Sequence, residues 1–500
     1  MQDIKIRFQD YSFVKIECDT SIAMELREFF SFEVDGAKFS ARYKYSNWDG
    51  RIRLFTHENT LPIGLTKTVG IFAKNMGYSV WVDPRLLEKE EITKEEIDQW
   101  IDNHEVYSGN TKINPYWYQR EAVFQGIRNR RRMLVLPTSA GKSLVCSLLS
   151  RWYLEHYEGK VLIIVPTTSL VVQMRDDFVD YRLFPHEAIH TIMSGSSKNV
   201  GDRLIVVSTW QSACKMSKEW FKQFGMVIVD ECHKATAKNL TNIVNDMSHC
   251  RFKIGMTGSP KESKANLMQY VGLFGDISKI VSIDRLMDEG QVTKLKINCL
   301  FLRYTDEECS AVKGREYAEE IKYITSNTRR NKFACNLALK LAKNGENVFL
   351  MFRNTKHGKM LYEALQRVHD KVYYVDGGVK TTDRDEFKKM AEGETGLICV
   401  ASYGVFSTGV SIKNLHHVIF GHPVKESTIV RQSIGRALRK HGSKDIATVW
   451  DLIDHLAVKT KSKSAKKQFS HLNYALKHAL ERIKIYNEDK FDYATKTLAI

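Results

Sequence analysis

Two spacings of apolar residues succeed one another along this chain. In the first hundred residues apolar positions alternate with polar ones, as in Ile4-Lys5-Ile6-Arg7-Phe8 and Phe13-Val14-Lys15-Ile16, which predicts half-buried strands. Residues 21–30 carry helical spacing with Ser21 as a cap, and 66–77 carry it with Gly77 as a stop. Residues 38–45 and 51–55 flank the turn Asn47-Trp48-Asp49-Gly50 and read as a hairpin. Further along, the alternation gives way to short continuous apolar runs at 133–136, 161–165, 204–208, 226–229 and 252–256. Each run ends in a polar turn before a helical stretch. A second series lies at 348–352, 372–375, 397–401, 418–420 and 447–450, with helices near 327–343, 356–368, 382–391 and 426–439. Continuous runs alternating with helices predict parallel sheets covered on both faces. The expected class is α/β: two tandem parallel-sheet domains at 106–290 and 291–455, a small α+β domain at 1–105, and a tail at 456–500. That tail is read as a basic connector followed by a short C-terminal helix.

Length and charge narrow the picture. At 500 residues the chain exceeds one hydrophobic core, and its 43% hydrophobic content is ordinary for a globular protein. No apolar run approaches the roughly 20 residues that span a bilayer, and the first residues hold no signal-peptide core. The expectation is a cytosolic protein, nucleoid-associated in a prokaryotic host, with no membrane partner. Nine scattered cysteines without a C-x-x-C read as free thiols in a reducing compartment. A net charge of +16 predicts a polyanionic partner, nucleic acid before membrane. In the first domain Arg42, Lys44, Trp48 and Arg51 set cations beside aromatics, a surface suited to phosphates and bases.

Chemistry gathers where the apolar runs end, the edge at which parallel sheets bind ligands. The first run continues as Pro137-Thr138-Ser139-Ala140-Gly141-Lys142-Ser143 and then a helix. A strand, a tight loop and a helix N-terminus form a phosphate cradle. Lys142 reaches the phosphates, and the Ser143 hydroxyl is a Mg²⁺ ligand. The longer glycine-rich pattern is not met, because Leu136 stands at its first glycine. Asp230-Glu231-Cys232-His233 ends another run. Two adjacent carboxylates there suit a cation held by Asp230 and a water oriented or deprotonated by Glu231. Upstream, Tyr116 and Gln119 offer an aromatic face and an amide for an adenine. In the second half Gln432, Arg436 and Arg439 fall at i, i+4 and i+7, one face of a predicted helix. They are candidates for charge on a γ-phosphate.

In order, these segments resemble the motifs of superfamily-two helicases and translocases: Gln119, 137–143, 165–173, 208–212, 230–233, 257–260, 349–357, 401–412 and 432–439. Including the first domain, the chain is similar to the recombination and repair helicases of T4-type phages. That resemblance implies two RecA-like domains and an enzyme hydrolysing ATP with Mg²⁺. It also implies action on branched or single-stranded DNA: fork reversal, junction migration and RNA–DNA hybrid unwinding. It adds Gly409 to the nucleotide residues and gives His233 and Thr257 as coupling residues. Thr167, Thr168, Thr209, Arg353 and Asn354 become nucleic-acid contacts. Two departures stand out: Ser139 where many relatives have Gly, and Tyr116 where many have Arg. An annealing or architectural protein with a vestigial ATPase, or an RNA helicase, is the alternative. The residues set no oligomeric state.

Overall fold

The computed structural model describes residues 2–500 apart from 35, 235–237, 259, 261–262, 380, 409–411 and 460–468. The chain divides into two compact units, Met1–Leu136 with Ala140–Val281, and Pro137–Ser139 with Ser282–Ile500.

In the first unit the alternating N-terminal segments pair as foreseen. Strands Thr60–Pro62, Phe13–Cys18, Ile4–Phe8 and Val80–Val82 lie side by side in that order, the last pair parallel and the others antiparallel. Ile4, Ile6, Val14 and Ile16 fill a core with Leu26 of the helix Thr20–Phe29, its C-cap Phe30, and Leu65, Val69 and Phe72 at the start of and within the second helix. That second helix, Thr66–Met76, ends on Gly77 at φ 80°. Two local expectations are corrected. Ser21 lies inside its helix, whose N-cap is Asp19. The arm 38–45 is not a strand: Ala37–Phe39 forms a 3₁₀ turn and Ala41–Tyr45 a short helix. Ala, Arg and Lys favour helix over strand, and Ser40 Oγ accepts from Tyr43 N at 3.2 Å to start the turn. The returning strand Arg51–Arg53 pairs instead with Ser31–Glu33.

The seven-stranded sheet of this unit is wholly parallel. Across it run Ile189–Ile192, Ile205–Thr209, Lys160–Val165, Phe224–Val229, Phe252–Thr257, Arg131–Val135 and Ile277–Lys279. Its apolar runs are buried on both faces, as their lack of alternation requires. The small N-terminal domain is fastened to it by polar contacts. Lys253, fully buried on Phe252–Thr257, donates to Ser12 Oγ and to Val244 O, both at 2.7 Å. Ser12 Oγ donates onward to Asn245 O at 2.8 Å, and Tyr11 N to Ser248 O at 2.8 Å. Arg131 donates to Tyr11 O and Leu273 O. At Gly64 a Cβ would lie 1.9 Å from Val271 O, so only glycine permits this approach.

The second unit holds another parallel seven-stranded sheet, ordered Val372–Val375, Ile398–Ser402, Val348–Phe352, His417–Phe420, Ile446–His455, Lys294–Arg303 and Tyr493–Ala499. Its last strand was not expected from the tail, which read as connector and helix. The tail helix itself is Tyr474–Glu488. Glu320 decides its start, accepting from Tyr474 N at 2.9 Å and Ala475 N at 2.7 Å. The buried face is carried by Leu476, Ala479, Arg482 and Tyr486. Arg482 there pairs with buried Asp451 at 2.7 Å. The proposed flexible connector falls largely outside the described residues. Among the described residues no helix is long and apolar enough to cross a membrane.

Candidate active site

Because the strands of the first unit's seven-stranded sheet are parallel, their carboxyl ends share one edge. That edge carries the loops after Val135, Val165, Thr209, Val229 and Thr257. The loop after Arg131–Val135 is anchored by Leu136 N, which donates to Thr257 O at 3.0 Å. Thr138 and Ser139 follow in the loop. Ser139 takes φ 73° and Gly141 φ 74°, left-handed conformations that favour glycine. The helix Lys142–His156 begins immediately, with Gly141 at its N-cap. Its first N–H groups and its dipole face the loop, as an anion site requires. Lys142 Nζ donates to Leu136 O at 3.4 Å, folded back over the loop. Ser143 Oγ lies 2.7 Å from the hydroxyl of Tyr181.

Gln119 is buried, and both ends of its amide are engaged. Oε1 accepts from Tyr116 N at 2.9 Å and Nε2 donates to Ala140 O at 3.0 Å. The amide expected to read an adenine edge thus pins the phosphate loop. Tyr116 is 42% exposed and stacks on Tyr118 with ring centroids 5.6 Å apart. It keeps an open aromatic face beside the loop.

The acidic pair is brought to the same edge. Glu231 N donates to Asp230 Oδ1 at 2.9 Å, and Glu231 sits at φ 49°. Enclosure by protein and the neighbouring Glu231 charge push the Asp230 carboxyl above the usual carboxylate range, against the opposing pull of Lys142. His233 Nδ1 lies 2.9 Å from Thr257 Oγ1 and 3.2 Å from Glu231 Oε2, and Thr257 Oγ1 donates to Glu231 Oε2 at 3.4 Å. His233 and Thr257 are buried, and Tyr270 OH fixes His233 O at 3.0 Å. The two residues expected to couple are therefore in contact with the carboxylate expected to act on water.

Oxygen donors suit a magnesium ion, which binds through one or two protein ligands and keeps waters and phosphate oxygens for the rest. Ser143 and Asp230 supply such a set. Among the described residues no group of three or more His, Cys, Asp or Glu is placed to hold a metal without that help.

Several expected nucleic-acid residues have local structural work. Thr167 and Thr209 cap helices Thr168–Asp180 and Trp210–Ala213, accepting from Leu170 N and Ser212 N. Thr168 is exposed. Asn354 caps Thr355–Gln366 by accepting from Lys356 N at 2.9 Å, and Arg353 pairs with Glu426 across 3.2 Å at the surface. Arg51 pairs with Glu28 at 2.8 Å, and Trp48 Nε1 donates to Arg51 O at 2.8 Å. Lys44 is exposed. The side chain of Arg42 and the whole of Gly409 lie outside the described residues.

In the second unit Gln432 and Arg436 are buried on the helix Ser427–Ala437. Arg439 is not on that helix, contrary to the i+7 reading. The helix stops at Ala437, whose carbonyl accepts from Lys444 Nζ at 2.7 Å. Lys444 also donates to Leu415 O at 2.6 Å, and Thr293 N donates to Leu438 O at 2.8 Å. Neither Lys444 nor Tyr181 stands in a motif, and no spacing announces either.

Two parallel sheets in tandem, the first with a phosphate loop and an acidic pair on one edge, define the superfamily-two helicase class. Family models agree along the chain. "Type III restriction enzyme, res subunit" matches residues 110–262, "Helicase conserved C-terminal domain" 329–441, and "DNA helicase UvsW, N-terminal" 3–83. The ATP-dependent DNA helicase UvsW of Enterobacteria phage T4 is 54% identical over 499 residues, 99% of both chains. The crystal structure of T4 UvsW matches 99% of both chains at 53% identity with a TM-score of 0.54. The DNA-bound Type ISP restriction-modification enzyme LlaBIII matches 86% of this chain and 34% of its own at 15% identity and a TM-score of 0.58, a likeness of fold alone. The chain belongs to the UvsW family of ATP-dependent DNA helicases.

Proposed function

We propose that this helicase acts on branched DNA, reversing forks, migrating junctions and unwinding RNA–DNA hybrids during phage recombination, repair and replication in the host cytoplasm. The phosphates of ATP sit on the Gly141–Ser143 helix start, with Lys142 against them and Tyr116 beside the base. Ser143 and Asp230 hold the Mg²⁺ ion, which when bound offsets phosphate charge. Glu231 orients the attacking water and accepts its proton. His233 and Thr257, in contact with Glu231, report its state to the strand edge where Thr167, Thr168 and Thr209 lie. Arg436 and Arg439, with Gln432, act on charge developing at the γ-phosphate. Arg353 and Asn354 of the second unit and Arg42, Lys44, Trp48 and Arg51 of the first domain are the further DNA contacts.

The observation that carries this reading is the meeting of Glu231, His233 and Thr257 within hydrogen-bond distance on the edge that also bears Lys142. A capping acidic pair would not need a buried histidine and threonine behind it. The test is ATP hydrolysis by wild type and Lys142→Ala without DNA and with a fork, a four-way junction, an RNA–DNA hybrid and plain duplex. Stimulation is expected to be greatest with the branched substrates, and Lys142→Ala is expected to lose at least about a hundredfold in turnover while melting at the wild-type temperature. Equal stimulation by plain duplex overturns the branched-DNA reading, and full turnover by the variant overturns the site.

A further inference from the structure

We infer that Tyr181 is a positioning residue for the cation-binding hydroxyl of Ser143. The inference rests on the reading of Ser143 given above. A serine hydroxyl has one proton and two lone pairs. To ligate a cation it must present a lone pair, so its proton has to point elsewhere. The oxygen of Tyr181 lies 2.7 Å from Ser143 Oγ and can take that proton.

Tyr181 is itself tightly held. It follows the helix Thr168–Asp180, its N–H donates to Asp177 O at 3.0 Å, and its carbonyl accepts from Tyr107 N at 3.3 Å. Tyr107 belongs to the small hairpin Val106–Ser108 with Thr111–Ile113. Arg182, the next residue, lies over the Tyr107 ring at 4.1 Å and donates to Gly109 O at 3.2 Å. Gly109 N donates to Asp180 Oδ1 at 2.8 Å. The segment 106–119 thus grips the phosphate loop twice: directly through Gln119 on Ala140 O, and through Tyr181 on Ser143. The arrangement fixes one rotamer of Ser143 before any ligand arrives, which lowers the cost of binding.

The experiment is a Mg²⁺ titration of methylanthraniloyl-ADP binding to full-length wild type, Tyr181→Phe, Ser143→Ala and the double variant, with a parallel series in EDTA. Phenylalanine keeps the ring and removes only the hydroxyl. Loss of one hydrogen bond raises the Mg²⁺ half-saturation point about fivefold, leaves affinity in EDTA unchanged, and adds nothing in the Ser143→Ala background. A structural role alone would shift the EDTA series equally. If Tyr181→Phe overlays wild type while Ser143→Ala shifts, the positioning role is overturned and the reading of Ser143 stands. If Ser143→Ala also overlays wild type, the reading of Ser143 falls and this inference with it. Should Tyr181→Phe melt early, a Mg²⁺ shift in Tyr107→Pro, which removes the N–H holding the Tyr181 carbonyl, supports the inference, and an unshifted curve overturns it.

Discussion

At the scale of single residues, the phosphate loop depends on a few backbone conformations that most side chains resist. Gly141 adopts φ 74°, and a Cβ there would lie 2.3 Å from Gln119 Nε2. Alanine would incur left-handed strain of about 1–2 kcal/mol and displace the amide that holds Ala140 O. Gly141→Ala is expected to weaken nucleotide binding at least tenfold in a fluorescence titration, and Gln119→Ala to reproduce part of that loss. Ser139 tolerates a similar φ of 73°, a conformation that glycine adopts without steric cost. Asp230 and Glu231 could be singled out in the sequence because they directly follow an apolar run, and Lys142 and Ser143 because they open the helix after the turn that ends one. Tyr181 was not, because its significance lies in a contact with a residue 38 positions earlier in the chain. The second function of Gln119 was hidden for the same reason: an amide's partners are set by packing, not by its neighbours in sequence.

At the scale of elements, periodicity located strands and helices well wherever burial is two-sided, and poorly where a distant partner sets the boundary. The helix bearing Arg436 stops at Ala437 because Lys444 takes its carbonyl, and the tail helix starts where Glu320 accepts its first N–H groups. The strand Phe252–Thr257 is counted among the apolar runs although Lys253 interrupts it, and that lysine fastens the N-terminal domain. Burial beside Arg131 lowers the Lys253 amine to about 7, while Cys250 and Asp10 act weakly in the other direction. In the unfolded chain a lysine keeps its proton to about pH 10.4. Between those values the unfolded state binds the extra proton, so this residue's contribution to stability rises with pH across that window. Lys253→Met is expected to flatten that rise in urea melts at pH 7, 8.5 and 10. It would also leave Val244 O without the amine donor it has in wild type.

At the scale of the whole molecule, a net charge of +16 is expected to make phosphate contacts the main source of DNA affinity. Binding of duplex and fork is therefore expected to weaken steeply and log-linearly with salt in anisotropy titrations, and Lys142→Ala, at the proposed nucleotide site, is expected to keep the wild-type slope. The two-sheet plan could be read from the sequence because two series of apolar runs repeat. The strand Tyr493–Ala499 could not, since its residues are largely exposed and carry no continuous apolar run. That strand has a kinetic consequence. It aligns residue 297 with 493 and residue 303 with 499, so the ladder closes only after almost the entire intervening polypeptide has found its place. Pairings between such remote positions are slow to form. That ladder should therefore be a late step in the folding of the second unit, and until it zips up, one edge of Lys294–Arg303 is left open to pairing with another copy.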